Sequence, residues 1–138
     1  MLDLFDSYPA LREMQKVPLF ADLGFEFTAA GDGWSEVTLN VRPRTHKLYG
    51  IVHGGVWLII ADSAMGGALA TLVGQETKVI TGQSDFRWIR PLRGDTLRAR
   101  GSVLHRGRTL SHCLVELYDQ TETVVGRGTG TYVLLDPE

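Results

Sequence analysis

At 138 residues and 15.2 kDa the chain has room for one domain with a sizeable hydrophobic core and none for a second. Its 22% charged and 43% hydrophobic residues are the balance of a folded globular protein, and a formal net charge of -2 lacks the basic excess of a nucleic-acid binder. The one cysteine, Cys113, excludes an internal disulfide; its flanks Ser111, His112, Leu114 and Val115 read as a strand, so a buried structural thiol in a reducing compartment is expected.

Residues 1–16, MLDLFDSYPALREMQK, mix acids and bases within their apolar spacing. They lack the basic start and continuous apolar core of a signal peptide, so the cytoplasm is the expected location. Leu2, Leu4, Phe5, Leu11 and Met14 suggest one or two short amphipathic helical pieces, broken at Pro9 and ended before Pro18. Residues 1–23 are thus an N-terminal helical segment, and 24–138 a single folded domain.

From Gly24 the period changes. Phe25 and Phe27 alternate with polar neighbours, and after Gly31-Asp32-Gly33 the residues Val37, Leu39 and Val41 alternate with Glu36, Thr38 and Asn40, which predicts a hairpin. Further strands are predicted at about 79–90, 95–105, 109–119 and 123–135. Pro91 with Gly94-Asp95, then Arg106-Gly107-Arg108, then 119–122 punctuate them, so an antiparallel meander is expected.

Between these halves lies GGVWLIIADSAMGGALATLVG, residues 54–74, too long for a strand and predicted as one central helix against a sheet built from both halves. A bilayer span of about twenty apolar residues is the first rival reading. Asp62 near its middle would be costly in lipid, and the alternating strands are suited to covering a buried helix, so no membrane partner is expected. The small residues Ala61, Ser63, Ala64, Gly66, Gly67, Ala68 and Ala70 predict tight helix-to-sheet packing.

Asp62 is the only ionisable residue between His53 and Glu76, and lone carboxylates in apolar surroundings cluster at functional sites. On the helix alone it reads equally well as an acid neutralised by a buried arginine or capping a neighbouring element. The turn before the helix, His53-Gly54-Gly55, adds weight. A helix N-terminus presents unpaired N–H groups and a positive dipole end, and glycine lets a ligand oxygen come close, as an oxyanion hole requires. At 1.5 Å rise per residue Asp62 lies roughly 12 Å along the axis from Gly54, too far to act on a carbonyl bound there. Two copies in an isologous arrangement would bring one chain's Asp62 towards the other's Gly54, so an obligate homodimer with two composite sites is expected.

Gly50-Ile51-Val52-His53-Gly54-Gly55-Val56, then Ala61-Asp62-Ser63-Ala64-Met65-Gly66, a strand ending Trp88-Ile89-Arg90-Pro91, the hairpin His105-Arg106-Gly107-Arg108-Thr109 and a final Gly128-Thr129-Gly130-Thr131-Tyr132 together resemble the phenylacetyl-CoA thioesterase-like branch of the hotdog superfamily, over residues 24–135. The resemblance implies an α+β hotdog fold, a long helix wrapped by an antiparallel sheet, in dimers often paired into tetramers, with no metal or organic cofactor. It implies hydrolysis of an acyl- or aryl-CoA thioester. In that branch the residue matching Asp62 is the base or nucleophile, the one matching Gly54 gives an oxyanion N–H with His53 beside it, and the one matching Thr81 helps to hold the attacking water. Gly55 belongs to the expected substrate-binding turn. Arg90, Arg106 and Arg108 fall where relatives bring basic residues to the CoA phosphates. The branch usually carries Asn where this chain has Lys47, preceded by His46, so either one of these two or a shifted loop takes over its orienting role, or the substrate range differs, or activity is reduced.

Two other readings have discriminators. A hotdog enoyl-CoA hydratase needs a histidine a few residues after its Asp, and here the next is His105. A non-catalytic acyl-CoA-binding module, or a purely structural dimer, would not need Asp62 for chemistry. Phe20, Phe25, Trp57, Phe86 and Trp88 are candidates for an aryl pocket, although aromatics at such spacing more often serve the core.

Overall fold

The structure, a computed structural model, describes residues 3–46 and 51–137 apart from the Arg44 side chain. Three short helices open it: α1 (Leu4–Ser7), α2 (Pro9–Gln15) and α3 (Pro18–Leu23). The helical run is interrupted at Pro9 and ends before Pro18, as expected, and each proline also opens the next piece. Proline's fixed φ suits the first helical position, whose N–H has no partner within the helix, so Pro9 and Pro18 each open a piece, and the segment has one helix more than expected. Gly24 ends α3 at φ 82, the left-handed cap that glycine adopts without strain, and its N–H bonds the Phe20 carbonyl at 2.9 Å.

The six strands are β1 (Phe25–Gly31), β2 (Trp34–Asn40), β3 (Lys78–Trp88), β4 (Thr96–Arg106), β5 (Leu110–Tyr118) and β6 (Val124–Leu135). All pairings are antiparallel, and the sheet order is β1-β2-β4-β5-β6-β3. The predicted hairpin is β1–β2. The predicted four-strand meander is corrected: only β4, β5 and β6 follow one another, and β3 pairs with β6 at the far edge. Strand alternation reports which face a side chain takes, not which strand lies next to it. The gap from β3 to β4 is three strand spacings, about 14 Å, and the chain over 89–95 reaches up to about 23 Å, enough to cross the sheet end.

One long helix, α4 (Gly54–Ala70), lies in the curl of this sheet. It stops four residues short of the predicted Gly74, because Thr71 is used as a cap: its hydroxyl donates to the Ala68 carbonyl at 2.6 Å and accepts the Gly33 N–H at 2.8 Å. Val56, Trp57, Ile60, Ala64, Met65 and Leu69 join Val37, Leu39, Leu97, Val115 and Leu117 from the sheet, with Leu11 and Phe20 from the N-terminal helices, in one core. The small residues do what their size predicts. A Cβ on Gly67 would lie 2.5 Å from the Phe27 ring, and one on Gly101 of β4 would lie 2.4 Å from the Ala64 carbonyl oxygen. The fully buried Ser35 hydroxyl donates to that same oxygen at 2.7 Å. A long helix wrapped by an antiparallel sheet is the hotdog fold expected from the sequence.

Candidate active site

Asp62 sits midway along α4, half-buried, where the helix passes beneath β6 and β3. Thr81 and Tyr132 are directly paired across β3 and β6, so both side chains leave the sheet on the same face, towards the helix. The Thr81 hydroxyl donates to Asp62 Oδ1 at 2.8 Å, and the Tyr132 hydroxyl donates to the same oxygen at 2.7 Å. In place of the lone carboxylate among apolar groups, the structure has one gripped by two hydroxyls. Burial pushes the Tyr132 phenol far above its usual range and the neighbouring Asp62 charge adds to this, with the Thr81 hydroxyl opposing. Tyr132 is therefore a donor at any ordinary pH. Asp62, Thr81 and Tyr132 line a cleft of about 630 Å³ that also takes in Met14 of α2, Gly66 and Lys78.

The second cleft, about 560 Å³, lies at the start of α4 and is lined by Gly54, His46, Val52, Trp57, Trp88 and Arg90 among others. His53 is the N-cap: its Nδ1 accepts the Gly55 N–H at 2.9 Å and its carbonyl accepts the Val56 N–H at 2.9 Å. Two of the first-turn donors, the Gly55 and Val56 N–H groups, are thereby used, and neither bond involves the Gly54 N–H. Trp88 Nε1 donates to the Gly54 carbonyl at 3.2 Å, which fixes the indole as a wall of the cleft. His46 forms an isolated antiparallel bridge with Val52, and the His53 N–H bonds the Thr45 carbonyl at 2.7 Å, which ties residues 45–46 to the helix start. Lys47 and its expected orienting role lie outside the described residues.

The two clefts share no lining residue. Within one chain Asp62 meets Thr81 but not Gly54 or His53, as the helix rise predicts. The arginines do not gather either. Arg90 lines the Gly54 cleft, with its guanidinium donating to the Val124 carbonyl at 2.7 Å. Arg106 and Arg108 flank the β4–β5 turn at the opposite end of the sheet, beside the row Leu110, Val133 and Ile80. Sequence nearness to a hairpin named a neighbourhood without saying which end of the sheet it occupies. The aromatic set also divides: Phe20 and Phe25 are core residues with ring centroids 4.2 Å apart, whereas Trp57 and Trp88 face the Gly54 cleft and Phe86 lies between them.

Two further cleft-lining residues were assigned no role from the sequence. Tyr132 stood in the quoted Gly-Thr-Gly-Thr-Tyr run but carried no role. Arg93 lines a smaller cleft of about 390 Å³ that shares Arg90 and Pro91 with the Gly54 cleft and adds Thr121 and Thr123. Cys113, fully buried, has its thiol pushed up to about 12 by burial, which removes it as a nucleophile at neutral pH. Among the described residues no histidine lines the Asp62 cleft, no group of three or more His, Cys, Asp or Glu side chains is placed to hold a metal ion, and no helix is long and apolar enough to cross a membrane.

A family model described as the thioesterase superfamily matches residues 49–125, more than half of the chain. A Mycobacterium tuberculosis protein that carries an esterase name is 34% identical over 115 residues, covering 81% of this chain and 82% of its own. The 1,4-dihydroxy-2-naphthoyl-CoA hydrolase of Escherichia coli is 28% identical over 113 residues, covering 80% and 82%. The structure of the Escherichia coli PaaI protein from the phenylacetic acid degradation operon superposes with a TM-score of 0.83 over 96% of each chain at 21% identity, a likeness of fold.

Proposed function

The chain belongs to the thioesterase superfamily, and from that premise we propose that it hydrolyses an acyl- or aryl-CoA thioester in composite sites, each built from Asp62 of one protomer and Gly54 of its partner. The observation that carries this reading is the separation of the two clefts: a carboxylate with its hydroxyl donors lines one, a helix N-terminus the other.

The thioester oxygen takes the Gly54 N–H, where the helix dipole favours the charge that develops as the carbonyl becomes tetrahedral. Asp62 acts from the other side, either taking a proton from the water that attacks the carbonyl, or attacking the carbonyl carbon itself to give a mixed anhydride that water then opens; in both cases the C–S bond breaks and the CoA thiolate departs. The chemistry so proposed draws on side chains and backbone alone.

β3 is the strand that joins the halves. It is an edge strand, paired on one side by β6, and it runs opposite to α4, with Thr81 at Asp62 and Trp88 at Gly54. A two-fold axis near Ser84 and Asp85, midway between Thr81 and Trp88, would pair β3 with its copy and set each Asp62 against the partner's Gly54. The same rotation carries the end that bears Arg106 and Arg108 towards the partner's Arg90, so the arginines would form a phosphate-binding set across the seam. Association of dimers into tetramers, over a face that exposes Leu104 at 61% and Leu110 at 49%, belongs to the same proposal. An aryl acyl group suits the indoles of Trp57 and Trp88 and the naphthoyl-CoA substrate of the Escherichia coli relative.

The test is release of free thiol from phenylacetyl, hydroxybenzoyl, short-chain and medium-chain CoA thioesters. The protein turns over at least one, and Asp62→Asn, still folded, loses activity by about 10²-fold or more. Turnover that survives intact in the Asn variant would remove Asp62 from the chemistry, and no turnover of any substrate would favour the binding module.

A further inference from the structure

We propose that Tyr132 is the positioning residue of the catalytic carboxylate: with Thr81 it holds Asp62 Oδ1, so that Oδ2 is the oxygen that acts on water or on the thioester. The inference rests on the reading of Asp62 as the catalytic group.

Both donors reach the same carboxylate oxygen, Thr81 at 2.8 Å and Tyr132 at 2.7 Å, and among the described residues no donor is bonded to Oδ2. An oxygen that already accepts two hydrogen bonds has little lone-pair density left for a third, whereas the other keeps its lone pairs available to the cleft. The asymmetry also revises the part expected of Thr81, whose hydroxyl proton is committed to Asp62 and not to a water.

Tyr132 is built to stay where it is. It is 1% exposed, and its ring is confined by Gly130, where an added Cβ would lie 2.8 Å from Tyr132 Cε2, and by Gly66 on the helix side. The ring has few torsions to lose on ordering, so its hydroxyl is a fixed point against which a mobile aspartate can be set. Since the phenol stays protonated, Tyr132 does not shuttle a proton. Its effect passes through Asp62.

A charge-assisted hydrogen bond holds its geometry by a factor of about 10–100. Tyr132→Phe keeps the ring and removes the donor. The expected result is a kcat lower by about 10–100-fold, a KM within about threefold, and an acid limb of the kcat–pH profile moved to higher pH, because a carboxylate that loses a donor holds its proton more strongly. Thr81→Ala shifts kcat and the limb in the same direction. If Tyr132→Phe lowers only the melting temperature, with kcat and the acid limb unchanged, Tyr132 is structural and the proposal falls, while an inactive Asp62→Asn still upholds the catalytic aspartate. If Asp62→Asn is active, that underlying reading fails instead. Should the Phe variant not fold, 3-fluorotyrosine at position 132 gives the same readout with the opposite sign: a stronger donor moves the acid limb to lower pH, and an unmoved limb overturns the proposal.

Discussion

The cleft at Gly54 and the cleft at Asp62 are lined by the same helix, yet they hold opposite kinds of group. The first offers a helix N-terminus, two indole rings and the cation Arg90. The second offers a carboxylate and two hydroxyls beneath the thioether of Met14. One is suited to receiving negative charge and a flat acyl-CoA, the other to supplying a base. Their difference shows that the division follows from helix geometry: eight residues of rise put about 12 Å between groups that must meet within hydrogen-bond reach of one carbonyl. In the proposed mechanism, a single chain therefore holds both halves of the chemistry and brings neither to the other.

The largest effects are expected at the two ends of this arrangement. Asp62→Asn and Gly54→Pro should each cost about 10²–10³-fold in kcat. Gly54 is the first helical residue and His53 before it is extended at ψ 133, so proline removes the N–H without disturbing the turn. When the two inactive variants are mixed and allowed to exchange subunits, activity should return to about a quarter of wild type, since half of the dimers are mixed and each of those holds one intact site. No recovery, in a mixture shown by mass spectrometry to contain mixed dimers, would place Asp62 and Gly54 of one chain in a common site.

Smaller effects sharpen each half. Arg90→Ala should raise KM for the CoA thioester by about tenfold with little change in kcat, and lose that penalty against a short thiol ester lacking the phosphates. Trp88→Phe removes the indole bond to the Gly54 carbonyl and should cost about 0.5–1.5 kcal/mol of stability, read by chemical denaturation, with kcat within a few-fold. For Cys113 the expected effect is none: a neutral-pH alkylating reagent should leave the folded protein unmodified and fully active, and label it only after unfolding.

What could be read from the sequence was whatever lies along one element. His53, Gly54 and Asp62 share a helix and its cap, so their spacing converts directly into distance. Strands announced themselves by alternation, and the tight packing of α4 by its small residues. Contacts that depend on how elements are assembled were not legible. Tyr132 lies 70 residues from Asp62, and their hydrogen bond exists only because β6 lies between β5 and β3 over the middle of the helix. The same cause misplaced β3 in a meander. The cap at Gly55 was not legible either: an imidazole two residues back can close a helix start, and here Nδ1 takes the Gly55 N–H.

The seam at Ala64 sets a tolerance for everything else. The Ala64 carbonyl receives the Ser35 hydroxyl and lies against the bare Cα of Gly101, where a Cβ would come within 2.4 Å. This works as a key in a slot. The helix cannot slide along its axis or roll without leaving that notch, and the notch is two residues from Asp62. Displacements of about 1 Å can cost a catalyst 10²-fold. The placement of Asp62 and Gly54 on the same helix therefore depends in part on a joint away from both clefts, and filling it, as in Gly101→Ala, should shift the two together.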